Sequence, residues 1–315
     1  MRYQKLILTA ALLLTLTGCR DRGPSALETA RNAALEYMAN AQYEAAVTEL
    51  ENAYQLCDEK MPQTKTDISL YEAACYLKLE NYEQVRTVCT RILGLGENSD
   101  AYYMRGAAFL QLGEAEAAKA DFDRSVQLDA SNYELYLNIY QQYEAQNQSA
   151  IGDVYLQTAL NIEGEETEDY YQKGCIYFYL KDYPRAQEAL AVPVEQRYQK
   201  AMELMGEVYL AQGDTVHARN VYQQCIEAFG ETAEAYNGIV LCDIADGAYD
   251  AAISDADAGL TLDGENGKRD LRYNQIVAYE KKLDFETAKA KAQEFAELYP
   301  EDEAGKKEYD FLITR

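Results

Sequence analysis

The residues able to do chemistry are few and poorly placed for it. The 315-residue chain has one histidine, His217. A histidine acting as general base needs a nucleophile in reach and a third group to orient it. His217 stands early in a helical segment beside Ala218, on a side expected to face water, and no nucleophile motif accompanies it. Paired carboxylates could do acid–base work, but Asp121 with Asp123 and Asp255 with Asp257 are two positions apart, on nearly opposite sides of a helix. No calcium loop with its full ligand set occurs. Gly94-Leu95-Gly96 lacks the third glycine and the preceding strand of a dinucleotide turn, and there is no phosphate loop or Gly-x-Ser-x-Gly elbow. Cys57, Cys75, Cys89, Cys175, Cys225 and Cys242 form no CxxC pair, so neither a redox motif nor a zinc knuckle is supported. They read as free thiols on apolar helix faces. The expectation is a chain that is not an enzyme and takes neither cofactor nor metal.

The seventh cysteine, Cys19, follows a different logic. Arg2 and Lys5 supply a positive start, and Leu6 to Thr17 form an uncharged, mostly apolar run. That run is too short to span a bilayer, which takes about 20 residues, but it suits an export signal. Leu16-Thr17-Gly18-Cys19 closes it, and these four residues resemble the lipobox of bacterial lipoproteins. The resemblance implies cleavage after Gly18, diacylglyceryl transfer to Cys19, and an exported chain anchored on the extracytoplasmic face of the cell membrane. Stable anchoring of this kind takes more than one acyl chain. Residues 1–18 are thus expected to be a signal peptide and residues 19–26 a flexible spacer. Losing Arg2 and Lys5 would move the net charge from −25 to −27.

So acidic a chain lacks the basic face with which nucleic-acid binders displace counterions. Among partners it favours neutral or basic ones, although acidic surface also serves solubility. Apolar residues make up 48%, enough for a sizeable core. Alanine is common and β-branched residues are sparse, which favours helix. The 28 Tyr and absence of Trp suit packed helices that keep a polar tip near water.

The elements that must position any site are set by a repeat. Its clearest copy runs Tyr102, Gly106, Phe109, Gly113, Ala118, Phe122, Ser125, and others run Tyr170, Gly174, Tyr177, Tyr183, Ala186, Leu190 and Met202, Gly206, Tyr209, Gly213, Ala218, Tyr222, Cys225. One small position recurs at Ala46, Val85, Ala118, Gly152, Ala186, Ala218, Ala252 and Ala288, in steps of 39, 33, 34, 34, 32, 34 and 36. Spacings of three and four keep these residues on one helical face. A helical hairpin cannot bury its apolar face alone, so neighbours must stack. The period and residue pattern resemble the tetratricopeptide repeat (TPR). That resemblance implies an all-α fold, an α-solenoid of about eight TPR hairpins over residues 27–300. The repeats would start near residues 27, 66, 99, 133, 167, 199, 233 and 269. Residues 301–315 would add a capping helix with charged and apolar faces.

Some copies depart from the pattern. Asp243 stands where an aromatic is expected, and Pro193 falls inside a second helix. Proline costs about 3 kcal/mol in a helix interior, so that helix is expected to end near Leu190, with a bend between residues 191 and 199. In TPR proteins the first helix of each hairpin lines an inner groove that takes peptides. By register the lining here includes Tyr103, Ala107 and Leu110, then Leu137 and Gln141. It continues with Tyr171, Cys175, Phe178 and Tyr179, and ends with Asn237, Leu241, Tyr273 and Val277. The Lys-and-Asn clamp that grips a carboxylate tail in some TPR proteins is missing. Its positions carry Arg31 and Leu35, Leu70 and Ala74, and Tyr103 and Ala107. Glu28, Asp67, Asp100, Glu134, Glu168 and Glu234, at the expected helix starts, suit the helix dipole and would repel an acidic tail.

These features together suggest a membrane-anchored scaffold or assembly factor of the cell envelope that binds protein or peptide in its groove. Two other roles stay open: a structural subunit of an export, pilus or outer-membrane assembly, and an accessory to cell-wall or glycan handling.

Overall fold

The computed structural model describes residues 25–315. The signal segment, Cys19 and most of the spacer lie outside the described residues. Seventeen helices and no strand occur among those described. They fall into two compact units divided between Ile162 and Glu163. The first unit holds four hairpins: α1 (Ala26–Ala39) with α2 (Tyr43–Leu56), α3 (Pro62–Lys78) with α4 (Tyr82–Leu95), α5 (Ser99–Gln111) with α6 (Ala115–Leu128), and α7 (Tyr133–Ala145) with α8 (Ser149–Ala159). The second holds α9 (Thr167–Tyr179) with α10 (Tyr183–Glu195), α11 (Gln199–Ala211) with α12 (Thr215–Phe229), α13 (Ala233–Ala245) with α14 (Tyr249–Leu260), α15 (Lys268–Lys281) with α16 (Phe285–Leu298), and a final α17 (Glu303–Leu312). Within each unit, successive odd-numbered first helices touch: α3 with α5 and α5 with α7, then α9 with α11, α11 with α13 and α13 with α15. This is an α-solenoid of TPR-type hairpins.

The recurring small residue is where the two helices of a hairpin meet. Ala46, Val85, Ala118, Ala186, Ala218, Ala252 and Ala288 are fully buried, and Gly152 is buried with them. Four positions on, five of the eight second helices carry a larger residue, Leu50, Phe122, Leu156, Leu190 and Tyr222. Phe122 thus lies over Gly106, where an added methyl group would stand 2.9 Å from the ring. Aromatic rings fill the layers between hairpins: Phe122 meets Tyr143 at 5.6 Å and Tyr155 at 6.4 Å between centroids.

Every first helix ends the same way. Five positions ahead of the small residue stands a left-handed residue: Ala41, Glu80, Gly113, Asn147, Lys181, Gly213, Gly247 and Leu283. The amide of the next residue then reaches back to close the helix, as in Gln42 N–H to Tyr37 O at 2.9 Å and Asp284 N–H to Tyr279 O at 2.9 Å. Only three of the eight are glycine, so five copies tolerate a side chain in a conformation that costs roughly 1–2 kcal/mol. Leu283, with φ 68° and 73% exposed, has nothing to offset that cost. Leu283→Gly is therefore expected to raise stability by about 0.5–1 kcal/mol, read as a higher thermal midpoint by circular dichroism.

Three expectations need correction. Ser25 and Ala26 belong to α1 and not to a spacer. Ser25 caps the helix, its Oγ accepting from Glu28 N–H at 3.2 Å while the Glu28 carboxylate accepts from Ser25 N–H at 2.8 Å. The second hairpin starts at Pro62 rather than near 66. Proline at the first helical position gives up an N–H that has no partner there anyway, and Asp67 thereby moves off the helix start. Finally, α10 does not stop near Leu190 but continues through Pro193 to Glu195. Pro193 sits in the last turn, where only one helical hydrogen bond is lost. Its own carbonyl accepts the closing bond from Tyr198 N–H at 2.8 Å, and α11 then packs on α10 as in the other hairpins.

Asp243 is buried where an aromatic was expected, and Arg219 from α12 pairs with it at 2.8 Å. The six cysteines are free thiols. Burial pushes Cys75, Cys89 and Cys175 up to about 12, so they carry no thiolate at neutral pH.

The stack closes on α17, which lays Leu312 into the cluster of Ile276, Ala288, Ala292 and Phe295. Arg269 pairs with Asp302 at the helix cap. Glu280 and Glu308 meet at this contact. Burial first, and then its bond to Glu308, pushes Glu280 up to about 7, against smaller pulls from Arg315 and Lys281. A carboxyl raised in the folded state contributes stability that is present below its ordinary pKa and lost as pH rises through about 7. Amide protection of α17 in hydrogen exchange is expected to fall about tenfold between pH 6 and pH 8, a one-unit effect, and Glu308→Gln should flatten that dependence.

Candidate functional site

The groove residues read from the sequence separate by environment. In the first unit, Tyr103 and Leu110 are only 8% and 5% exposed, so neither offers a groove surface. Tyr103 is covered because its ring packs on Phe122 at 6.0 Å and its hydroxyl accepts from Gln142 on α7 at 3.3 Å. Leu110 is closed over where α5 meets its neighbours. Leu137 is half-buried and Gln141 exposed. In the second unit, Tyr171 is half-buried and stacks edge-on against Tyr198 at 5.3 Å. Tyr179 lies against Phe178 at 6.0 Å, and Tyr273 against Phe295 at 5.8 Å.

Phe178 and Asn237 come together, in a cavity of about 380 Å³ on the first-helix face of the second unit. Phe178, Leu210 and Leu241 form its apolar wall. Four carboxylates stand around it: Glu203 and Glu207 from α11, Glu234 from α13 and Asp270 from α15. Asn237 is held in place by Asn274, whose amide donates to its Oδ1 at 2.8 Å and ties α15 to α13. Tyr222, from the second helix α12, reaches the cavity from below.

The acids here were missed in the sequence, although a signal existed. Glu203 and Glu207 occupy the register of Tyr171 and Cys175 one repeat earlier and of Asn237 and Leu241 one repeat later. Applying that register to residues 199–211 would have found both.

The electrostatics of the cavity are one-sided. Burial raises the Glu203 carboxyl; Gln199, donating at 3.0 Å, and Lys200 pull it back, and Glu234 pushes it further up. Glu207 makes no hydrogen bond or ion pair among the described residues. Water reaches it, yet the surrounding concave wall deprives it of part of its hydration, and with the repulsion of Glu203 this pushes it up to about 7. Such a site disfavours anions and favours a cation with an apolar stem. Among the described residues no group of three or more His, Cys, Asp or Glu is placed to hold a metal ion. No helix among them is long and apolar enough to cross a membrane.

Residues 99–132 and 200–232, the hairpins α5–α6 and α11–α12, match family models described as tetratricopeptide repeat. The chain carries tetratricopeptide repeats. The second matched repeat supplies Glu203, Glu207, Leu210 and Tyr222 to the cavity. Among curated proteins the TPR chain is similar to RNA polymerase II-associated protein 3 of Xenopus tropicalis, 26% identical over 163 residues. It is also similar to the human mitochondrial import receptor subunit TOM70, 22% identical over 189 residues. These matches take in 50% and 55% of this chain but only 22% and 31% of those proteins. Among solved structures, yeast Tom70 superposes with a TM-score of 0.64 at 13% identity, over 95% of this chain and 66% of that one. A tetratricopeptide repeat protein from Parabacteroides merdae superposes with a TM-score of 0.52 at 13% identity, over 80% and 98%. At such identities the superpositions speak for the fold alone.

Proposed function

We propose that this TPR chain is an exported, lipid-anchored scaffold that holds a protein or peptide partner at the extracytoplasmic face of a bacterial cell membrane. Cys19 would carry the lipid, and the first-helix face of the repeats would take the partner. One observation carries the binding part of this reading. The chain keeps an apolar-walled cavity edged by Glu203, Glu207, Glu234 and Asp270; Arg269 pairs with Asp270 and Lys200 lies near Glu203, but Glu207 has no cation of the chain's own against it. TPR proteins generally mediate protein–protein interaction, which agrees with that cavity. The lipobox-like Leu16-Thr17-Gly18-Cys19 supports the anchor.

Metabolic labelling with an acyl analogue tests the anchor. The full chain should take up label and fractionate with membranes, and Cys19→Ala should do neither. Label persisting in Cys19→Ala would refute the assignment. Crosslinking on intact cells, followed by purification of the full chain, tests the scaffold role. A defined envelope partner with an exposed basic segment is expected, and the absence of any crosslinked protein would refute it.

A further inference from the structure

Tyr222 contains an oddity that packing does not explain. The side chain is only 3% exposed, yet its hydroxyl is not sealed in and opens on the cavity. Its hydroxyl makes no hydrogen bond among the described residues. The ring threads between Gly206 on α11 and Gly238 on α13, where an added methyl group at either position would overlap it. Two successive repeats thus give up a side chain so that the phenol tip can pass through the first-helix layer to the cavity. The corresponding contact elsewhere is met without a hydroxyl, by Phe122 over Gly106 and by Leu190 over Gly174. The fold therefore needs a large residue at 222 but not its oxygen.

We infer that this cavity is a receptor for a single cationic side chain, lysine or arginine, of a bound polypeptide. Its nitrogen would donate to the Tyr222 hydroxyl at the floor, and Glu203 and Glu207 would supply the counter-charge. This rests on the reading of the chain as a peptide-binding scaffold and specifies the chemistry of its partner. Phe178, Leu210 and Leu241 suit the methylene stem of such a side chain, and the volume admits one long side chain rather than a folded element. Charge complementarity excludes an acidic occupant. Capture strengthens as pH rises, because Glu207 gains its charge near neutrality. The groups around it are Glu203 and Lys200 on its own helix, Cys175 from α9, Tyr222 from α12, Glu234 from α13 and Asp270 from α15. The cations beside these groups are Lys200 and Arg269, and Arg269 is already engaged by Asp270 and Asp302.

The test is a nuclear magnetic resonance titration of the full chain, carrying ¹³Cζ-labelled tyrosine, at about 0.15 M salt, where diffuse attraction to an acidic surface is screened. The probe is a capped glycine peptide with one central lysine, alongside the same peptide acetylated at the lysine nitrogen. The tyrosine signal that disappears in Tyr222→Phe should shift with the lysine peptide and not with the acetylated one. Tyr222→Phe should bind the lysine peptide about tenfold more weakly, the effect of one hydrogen bond to a charged group. Glu207→Gln keeps the apolar contacts, so it serves if Tyr222→Phe proves unfolded by circular dichroism. It should lose about fivefold at pH 8, the scale of one exposed charge pair, and abolish the gain between pH 6 and pH 8. Equal binding of both peptides, or unchanged affinity in both variants, overturns the inference. If that happens while the full chain still crosslinks a partner in cells, the scaffold reading survives without this site. If the lysine peptide binds as expected but no partner crosslinks, the scaffold reading fails alone.

Discussion

A Phe122→Ala chain is expected to lose about 3–5 kcal/mol of stability, the usual range for removing a buried aromatic ring. Phe122 has no exposed surface. Its ring is the hub of a cluster formed by Tyr103 at 6.0 Å, Tyr143 at 5.6 Å and Tyr155 at 6.4 Å. These neighbours cannot collapse into the void. Tyr155 is tethered by its hydroxyl to Asp123 at 2.7 Å, and Tyr103 receives a bond from Gln142. Gly106, which faces the ring, has no side chain to advance. The void should therefore persist, which puts the cost toward the upper part of the range. Hydrogen exchange should show the loss centred on α5 to α8, because each repeat is stabilised chiefly by its neighbours. Urea unfolding gives the total, and a loss under about 1 kcal/mol would contradict this account of the cluster.

The second large effect concerns the cavity and has the opposite sign. Glu207→Gln is expected to stabilise the protein at pH 8 and leave it nearly unchanged at pH 5. A carboxyl held at about 7 in the folded chain binds more protons there than in the unfolded chain between its ordinary pKa of 4.5 and about 7. Its contribution is thus favourable at low pH and is lost as pH rises through neutrality. Because water reaches Glu207, screening reduces the gain to about 1 kcal/mol. Thermal midpoints from pH 5 to pH 8 read it directly: the wild-type profile should fall more steeply than that of Glu207→Gln. A residue that destabilises its own fold, while the same variant weakens cation binding, is what a binding site built at the expense of stability would show. Parallel pH profiles for the two chains would remove that argument.

Much of the fold was legible because it is periodic. The small residue from Ala46 to Ala288 marks where two helices touch. Contact distance between helices depends so directly on side-chain size that the position announces itself in sequence. Boundaries were less legible where one residue type has two uses. Pro193 was read as a breaker, yet in a final turn proline removes only one bond. Ser25 was read as spacer, yet with Glu28 three residues on it makes a capping box.

The groove was read less well, since register assigns a helix face but not its cover. Tyr103 and Tyr171 occupy equivalent positions, yet Tyr103 is closed over and Tyr171 remains half-buried against Tyr198. What differs is the size of the residues brought alongside from neighbouring helices. Glu203 and Glu207 illustrate the reverse case. Among 54 acidic residues nothing in their identity distinguished them, and only the convergence of α9, α11, α13 and α15 around one space gives them a shared role.

The amino-acid sequence by itself determined that this chain would fold as stacked helical hairpins with an acidic surface, and it carries the lipobox-like Leu16-Thr17-Gly18-Cys19. These properties are written in local spacing and composition. Tertiary structure decided which tyrosines are packing, that Tyr222 reaches the acid-edged cavity, and that Glu207 stands there with no cation against it. Those are properties of residues far apart in the chain. Burial and electrostatic coupling act through space, and a linear pattern records neither.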